Sequence, residues 1–141
     1  MEKMNLNFKN KMIDNGLIAR CVLSKMFNVK ERDIVFMNCR KKNKVSARRF
    51  YIYYLWKYKD IRHNRMSEWI HNIHHATSIY QCRILEKEID TYKSVRKNFL
   101  TFIYYADRKE WEKMKIDMRY SMKELNDLDF KSKYIEILNL N

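Results

Sequence analysis

Two clusters of side chains in this chain carry recognisable chemistry. Residues 40–44 read Arg-Lys-Lys-Asn-Lys, and Arg48-Arg49 follow closely. Residues 71–81 read His-Asn-Ile-His-His-Ala-Thr-Ser-Ile-Tyr-Gln. The first cluster supplies permanent cations suited to phosphate oxygens. The second is a polar turn followed by small side chains opening a helix, which lets the helix backbone approach base edges in a major groove, N-terminus first. Unpaired N–H groups at such an end also favour phosphate. The candidate DNA contacts are Arg40, Lys41, Lys42, Lys44, Arg48, Arg49, His74, His75, Ala76, Thr77, Ser78 and Gln81. His75 suits a phosphate or a base edge, Thr77 a thymine methyl or a hydrogen bond, Ala76 an apolar contact, and Gln81 bases or backbone.

Other chemistries are disfavoured by what is missing. His71 and His75 are four apart, but no acidic or cysteine ligand adjoins them, and the glutamate of a zincin helix is absent between them. Gly16 is the one glycine, so a Walker loop cannot be built. No Ser/His/Asp, Cys/His or paired-carboxylate set stands out. The expectation is a protein that is not an enzyme and uses no cofactor or metal.

Charge points the same way. The 141 residues carry a net charge of +13. Residues 1–85 hold 18 Lys/Arg against 6 Asp/Glu, whereas residues 86–141 hold 12 against 11. A polyanion is the partner such asymmetry favours. An AT-rich coding bias accounts for many lysines but less well for the arginine pairs. Cys21, Cys39 and Cys82 form neither a disulfide framework nor a zinc-ribbon pattern. The expected location is cytoplasmic and nucleoid-associated, or the host cytoplasm if phage-encoded. No apolar run reaches the length of a membrane span, and residues 1–12 lack a signal-peptide core.

The elements that must position these residues are helices. With no proline and a single glycine, the chain lacks the residues that turns between strands need. An all-α fold is expected: a compact helical bundle with a helix-turn-helix and a C-terminal helical extension. Residues 1–11 are expected to form a flexible arm, residues 12–105 the DNA-binding domain, and residues 106–141 the extension. Asp14 or Asn15 can cap a helix running to about Phe27, and a short helix begins at Glu31. Residues 40–44 form a basic loop. Residues 45–58 make the central helix, with Phe50, Tyr51, Tyr54, Leu55 and Tyr58 as its core stripe. Asp60 caps the next helix, whose apolar positions are Met66, Trp69, Ile70 and Ile73. The second helix buries Ile79, Cys82, Ile84 or Leu85, and Ile89, and the chain breaks near Tyr92-Lys93. Val95, Phe99, Phe102 and Ile103 then pack inward. In the extension, Trp111, Met114, Ile116 or Met118, and Met122 or Leu125 form an amphipathic helix, and residues 130–138 a last short one.

Over roughly residues 15–105 this chain resembles the DNA-binding C-terminal domain (domain IV) of the bacterial replication initiator DnaA, a Trp repressor-like helix-turn-helix. That family has a basic loop, an Ala/Pro-Arg pair opening a long helix, a Ser-Leu-x-x-Ile-Gly-x-x-Phe helix, and Gly-Gly-Arg-Asp-His-Thr-Thr-Val opening the recognition helix. Arg40 falls on the basic-loop arginine and Ala47-Arg48 on the Ala/Pro-Arg pair. Before the loop the family has a hydrophobic anchor, a role that Val29, Ile34 and Phe36 suit. Met66 and Ile70 fall on the Ile and Phe, His75 on the histidine, Thr77 on the second threonine, and Arg83 on a following basic residue. Residues 40–83 align without insertion or deletion. The departures are His71-Asn72 for Gly-Gly, His74 for the Asp, Ala76 for the first Thr and Ser78 for the Val.

The resemblance implies a stand-alone, sequence-specific duplex-DNA-binding protein that lacks the initiator's ATPase and regulates replication or transcription. Its expected partner is double-stranded DNA carrying an A/T-rich box, with Arg40 reaching into the narrow minor groove. Compact size and an AT-biased composition suit a phage or mobile element. The alternative is a phage inhibitor or virion component that keeps the fold without reading DNA; its basic residues would not converge with the second helix. A third reading, single-strand binding by stacked bases, requires exposed Tyr51, Tyr53 or Tyr58. Residues 107–141 have no counterpart in the family and leave open a homodimer or a protein partner.

Overall fold

Buried apolar side chains recur around a single helix through the middle of the protein. The computed structural model describes residues 16–36 and 40–118, with side chains described through Met114. Among these residues there are six α-helices and one 3-10 helix, with no strand, only an isolated bridge between Phe36 and His71. The all-α bundle expected from composition is the observed architecture. None of these helices is long and apolar enough to cross a membrane.

Helix α1 (Leu17–Phe27) buries Ala19, Cys21, Val22 and Leu23. Its start depends on Gly16, because a Cβ there would collide with the Tyr51 hydroxyl and the Arg20 guanidinium. Arg20 is itself buried, donating to Tyr51 Oη at 3.0 Å and pairing with Glu31 at 3.6 Å. At its end Asn28 takes the left-handed conformation (φ 53°), one of the few residues other than glycine that does so readily. The proposed caps Asp14 and Asn15 lie outside the described residues. Helix α2 (Glu31–Val35) is a turn and a half that fully buries Ile34, with Val29 buried just before it.

Helix α3 (Lys42–Tyr58) begins three residues earlier than expected, so Lys42, Asn43 and Lys44 form its first turn and not a loop. Residues 50–55 are all buried. A helix apolar on one stripe faces one layer; one buried around its whole circumference is enclosed. Helices α1 and α2 and the helix that follows the turn all pack on α3. Tyr51 and Tyr53 are 0% and 3% exposed and Tyr58 is half-buried, so the stacking platform that single-strand binding requires is absent from this helix.

Asp60 does not cap a helix. It adopts φ 58° and closes α3, with Ile61 N–H bonded to the Leu55 carbonyl at 3.0 Å. The element that follows is a 3-10 helix (His63–Glu68). Met66, Trp69, Ile70 and Ile73 are nonetheless all buried, as their spacing predicts. Spacings of three and four fit both helix types over so short a run. Helix α4 (His75–Thr91) buries Ser78, Cys82 and Leu85, with Ile89 packed at the edge of the core, whereas Ile79, expected on the buried side, is only half-buried. Tyr92 is extended and breaks the chain, and α5 (Lys93–Ala106) returns Phe99, Phe102 and Ile103 to the core.

Helix α6 (Arg108–Met118) places Trp111 and Met114 in the same core. Asp107 seats it. One carboxylate oxygen accepts from Tyr54 Oη at 2.7 Å and from Lys59 Nζ at 3.0 Å. The other accepts from the Glu110 amide at 3.2 Å. The proposed positions Met122, Leu125 and the last short helix lie outside the described residues.

Candidate nucleic-acid interface

The 3-10 helix, the turn after it and α4 form a helix pair joined at the expected place. Three local features shape the turn. Asn72 takes φ 60°, which a short polar side chain tolerates. Ile73 is buried and pins the turn to the core. His74 caps α4, its Nδ1 accepting from the Ala76 amide at 3.1 Å. The His74 and His75 rings lie 4.3 Å apart, both exposed, and no acidic residue stands in the first turn. A helix end of this kind presents N–H groups and positive dipole charge without a carboxylate competing for them.

The turn is tied to the segment that leads into the basic run. The His71 amide donates to the Val35 carbonyl at 2.7 Å, and Phe36 and His71 form a parallel bridge with ring centroids 5.3 Å apart. Residues 37–39 lie outside the described residues; beyond them α3, which Lys42 opens, is tied to α4 through Arg49 and Gln81.

Burial then divides the candidate residues. Arg40, Lys41 and Lys42 are exposed, as are His74, His75 and Ala76, and Thr77 is half-exposed. Arg48 and Ser78 are removed from the candidate surface. Arg48 is 4% exposed, and its Nη2 donates to the carbonyls of Asp33 and Phe36, each at 2.7 Å. Ser78 is fully buried and lies 2.7 Å from His63 Nδ1. Arg49 and Gln81 face one another in the seam between α3 and α4. Arg49 donates to Gln81 Oε1 at 2.6 Å and pairs with Glu88 at 2.9 Å. Lys44 lies 3.4 Å from the Asp33 carboxylate. These residues hold the helices to one another.

No known protein family, curated protein or solved structure matches this chain. The site therefore stands on its own geometry.

That geometry adds three residues to the candidate set. On α4 the outward positions opposite Ser78, Cys82 and Leu85 are Ala76, Tyr80, Arg83 and Lys87, all exposed, with Tyr80 at 60%. They follow the i, i+4, i+7, i+11 rule of one helix face. The signal was in the helical phase. Taking Ile79 as the buried residue rotates the helix by one position and points Ser78 and Gln81 outward in place of Tyr80 and Arg83. The outward face thus combines an aromatic ring with two cations just beyond the small residues.

Two titratable groups near the site are restrained by their surroundings. Burial, then the charges of Arg83 and His75, lower the His63 pKa, and its ring stacks on Trp56 at 5.2 Å. Neutral His63 is the form that suits its contact with buried Ser78. Burial, with Glu86 beside it, pushes the Cys82 thiol up to about 12, so it stays protonated and unreactive at neutral pH. Among the described residues no three His, Cys, Asp or Glu side chains gather where they could hold a metal ion.

Proposed function

We propose that this protein binds double-stranded DNA in a sequence-specific manner and acts by occupying its site. Its 141 residues, with Gly16 as the one glycine, build no Walker loop, and in this reading it regulates replication or transcription. The observation that carries the reading is the Arg49–Gln81 bond, which holds α3, with the exposed run Arg40–Lys42 at its N-terminal end, against α4, whose own N-terminus exposes His74, His75 and Ala76. In this reading His75, Ala76 and Tyr80 enter a major groove. Arg40 reaches the adjacent minor groove, whose potential is most negative in A/T-rich DNA. Lys41, Lys42, Arg83 and Lys87 take phosphates, which position the protein without reading sequence.

The likeness to the initiator's DNA-binding domain supports this reading at Arg40, His75 and Thr77. At Arg48 the likeness concerns the scaffold, since the guanidinium is occupied by two carbonyls. The test is direct. Arg40→Ala and His75→Ala should each weaken binding to a selected duplex by about 1–3 kcal/mol. If both bind as wild type does, the assignment is wrong.

One observation favours a second reading, a structural or interaction protein that keeps the fold without reading DNA. Of the twelve residues first singled out, Lys44, Arg48, Arg49, Ser78 and Gln81 are engaged inside the protein. Unchanged stability together with no duplex binding at low salt would establish it.

A further inference from the structure

We infer that the DNA-contacting surface continues past the helix pair onto a groove between the end of α1 and the start of α3, where the phosphate backbone of the same duplex lies. This rests on the duplex-binding reading but concerns residues outside the helix pair. The groove is open, about 650 Å³, and is lined by Ser24, Lys25, Asn28, Val29, Lys30, Asp33 and Lys44. Its walls are held together by the Asn43 side chain, which donates to the Phe27 carbonyl at 3.3 Å, and by the Lys44–Asp33 pair.

Its charge is one-sided. From residue 25 to residue 44 the chain carries Lys25, Lys30, Arg32, Arg40, Lys41, Lys42 and Lys44 against only Glu31 and Asp33. Both acids already have cationic partners inside the protein, Glu31 in Arg20 and Asp33 in Lys44. Lys25, Lys30, Arg32 and the run Arg40–Lys42 are all exposed. The groove lining itself holds Lys25, Lys30 and Lys44 against Asp33, and Asn28 and Ser24 add polar groups between the lysines.

Its position is continuous with the candidate interface. Lys44 lines the groove and directly follows the basic run, while α2 spans from Lys30 at the groove to Phe36 at the His71 bridge. Six residues at helical rise separate those ends by roughly 9 Å. That is a step of one or two phosphates along a strand, so one backbone can pass from the turn to the groove without leaving the protein surface. Lys25 and Lys30 would hold phosphates beyond the base-reading residues, adding affinity and orientation but no sequence preference.

The experiment is a salt series on the full chain with fluorescein-labelled duplex, comparing wild type, Lys25→Gln/Lys30→Gln, and Lys109→Gln/Lys113→Gln as an equal loss of charge on α6. The groove variant should lower the slope of log K against log salt by about 2, at roughly 0.9 per contact, and weaken binding about tenfold or more at 0.1 M salt. The α6 variant should keep the wild-type slope, and all three should keep the same ratio of selected to scrambled duplex. Equal slopes for the two variants would overturn the inference. If wild type prefers the selected duplex but the groove variant keeps its slope, the groove fails while the proposed function stands. If wild type shows no preference yet the groove variant loses slope, the groove stands and sequence-specific reading fails. Lys25→Glu/Lys30→Glu, with circular dichroism as the check on folding, should exaggerate the same loss of slope.

Discussion

Arg48 donates a 2.7 Å hydrogen bond from within the protein to the carbonyl of Phe36, the residue that bridges to the turn at His71. The same nitrogen donates to the Asp33 carbonyl, so one guanidinium closes the end of α2 onto α3. A buried cation is stable here because carbonyl oxygens replace the water it has lost. It holds Phe36, the residue that bridges to His71, against α3.

Arg48→Ala should therefore behave as a stability variant. Leaving two carbonyls and the surrounding cavity unsatisfied should cost about 2–4 kcal/mol. Urea denaturation would show it as a lower midpoint, with Arg40→Ala remaining within about 0.5 kcal/mol of wild type. Equal midpoints for the two variants would mean that the Arg48 bonds contribute nothing to folding.

Tyr80 and Gln81 should separate in the opposite way from what residue type suggests. Tyr80 is 60% exposed on the outward face of α4, whereas Gln81 accepts from Arg49 in the seam. Tyr80→Ala should weaken duplex binding by about 1–2 kcal/mol with little change in melting temperature. Gln81→Ala should lower the melting temperature more than it changes binding. Anisotropy and thermal denaturation on the two variants would check the pairing of effects.

Asp107 should make part of the stability depend on pH. Burial works against its ionisation, but hydrogen bonds from Tyr54 and Lys59 outweigh it and hold the carboxyl below its ordinary value. A depressed folded pKa contributes stability that is fully present above the unfolded value, near 3.9, and is lost as pH falls through the folded value. Wild type should thus exceed Asp107→Asn in stability at neutral pH, and the gap should close in acid below the ordinary carboxylate range. Denaturation midpoints from neutral pH down to about 2.5 would measure it. A constant gap would show that the carboxylate's charge is not what seats α6.

Much of the fold was legible because burial follows side-chain type at helical spacing. Met66, Trp69, Ile70 and Ile73 are buried where they were expected, as are Phe99, Phe102, Ile103, Trp111 and Met114. The break at Tyr92 was also visible in the pattern. What the pattern could not show was backbone detail that depends on distant partners. Apolar spacings of three and four over Met66–Ile73 do not distinguish a 3-10 helix from an α-helix. Asp60 suits an N-cap by type, yet the chain uses its tolerance of positive φ to end α3.

The candidate site was legible as a region and less so residue by residue. Composition located the basic run and the polar turn. It could not reveal that Arg48 is internal, because arginine is mostly a surface residue and only the carbonyls of Asp33 and Phe36 make its burial favourable. Ser78 was misplaced for a different reason: a hydroxyl next to isoleucine looks exposed until His63 is known to meet it. That one-residue error in helical phase is also what hid Tyr80 and Lys87.

The most direct measurement of the central claim is fluorescence anisotropy of the full chain with an A/T-rich duplex carrying the initiator-type box, or a site selected from a random pool, against a scrambled duplex across a salt series. The account predicts a preference for one duplex that persists at physiological salt and is lost in Arg40→Ala and His75→Ala. Equal binding to every duplex, including those from the selected pool, that collapses steeply with salt would contradict it, because phosphate contacts alone would then account for all of the binding.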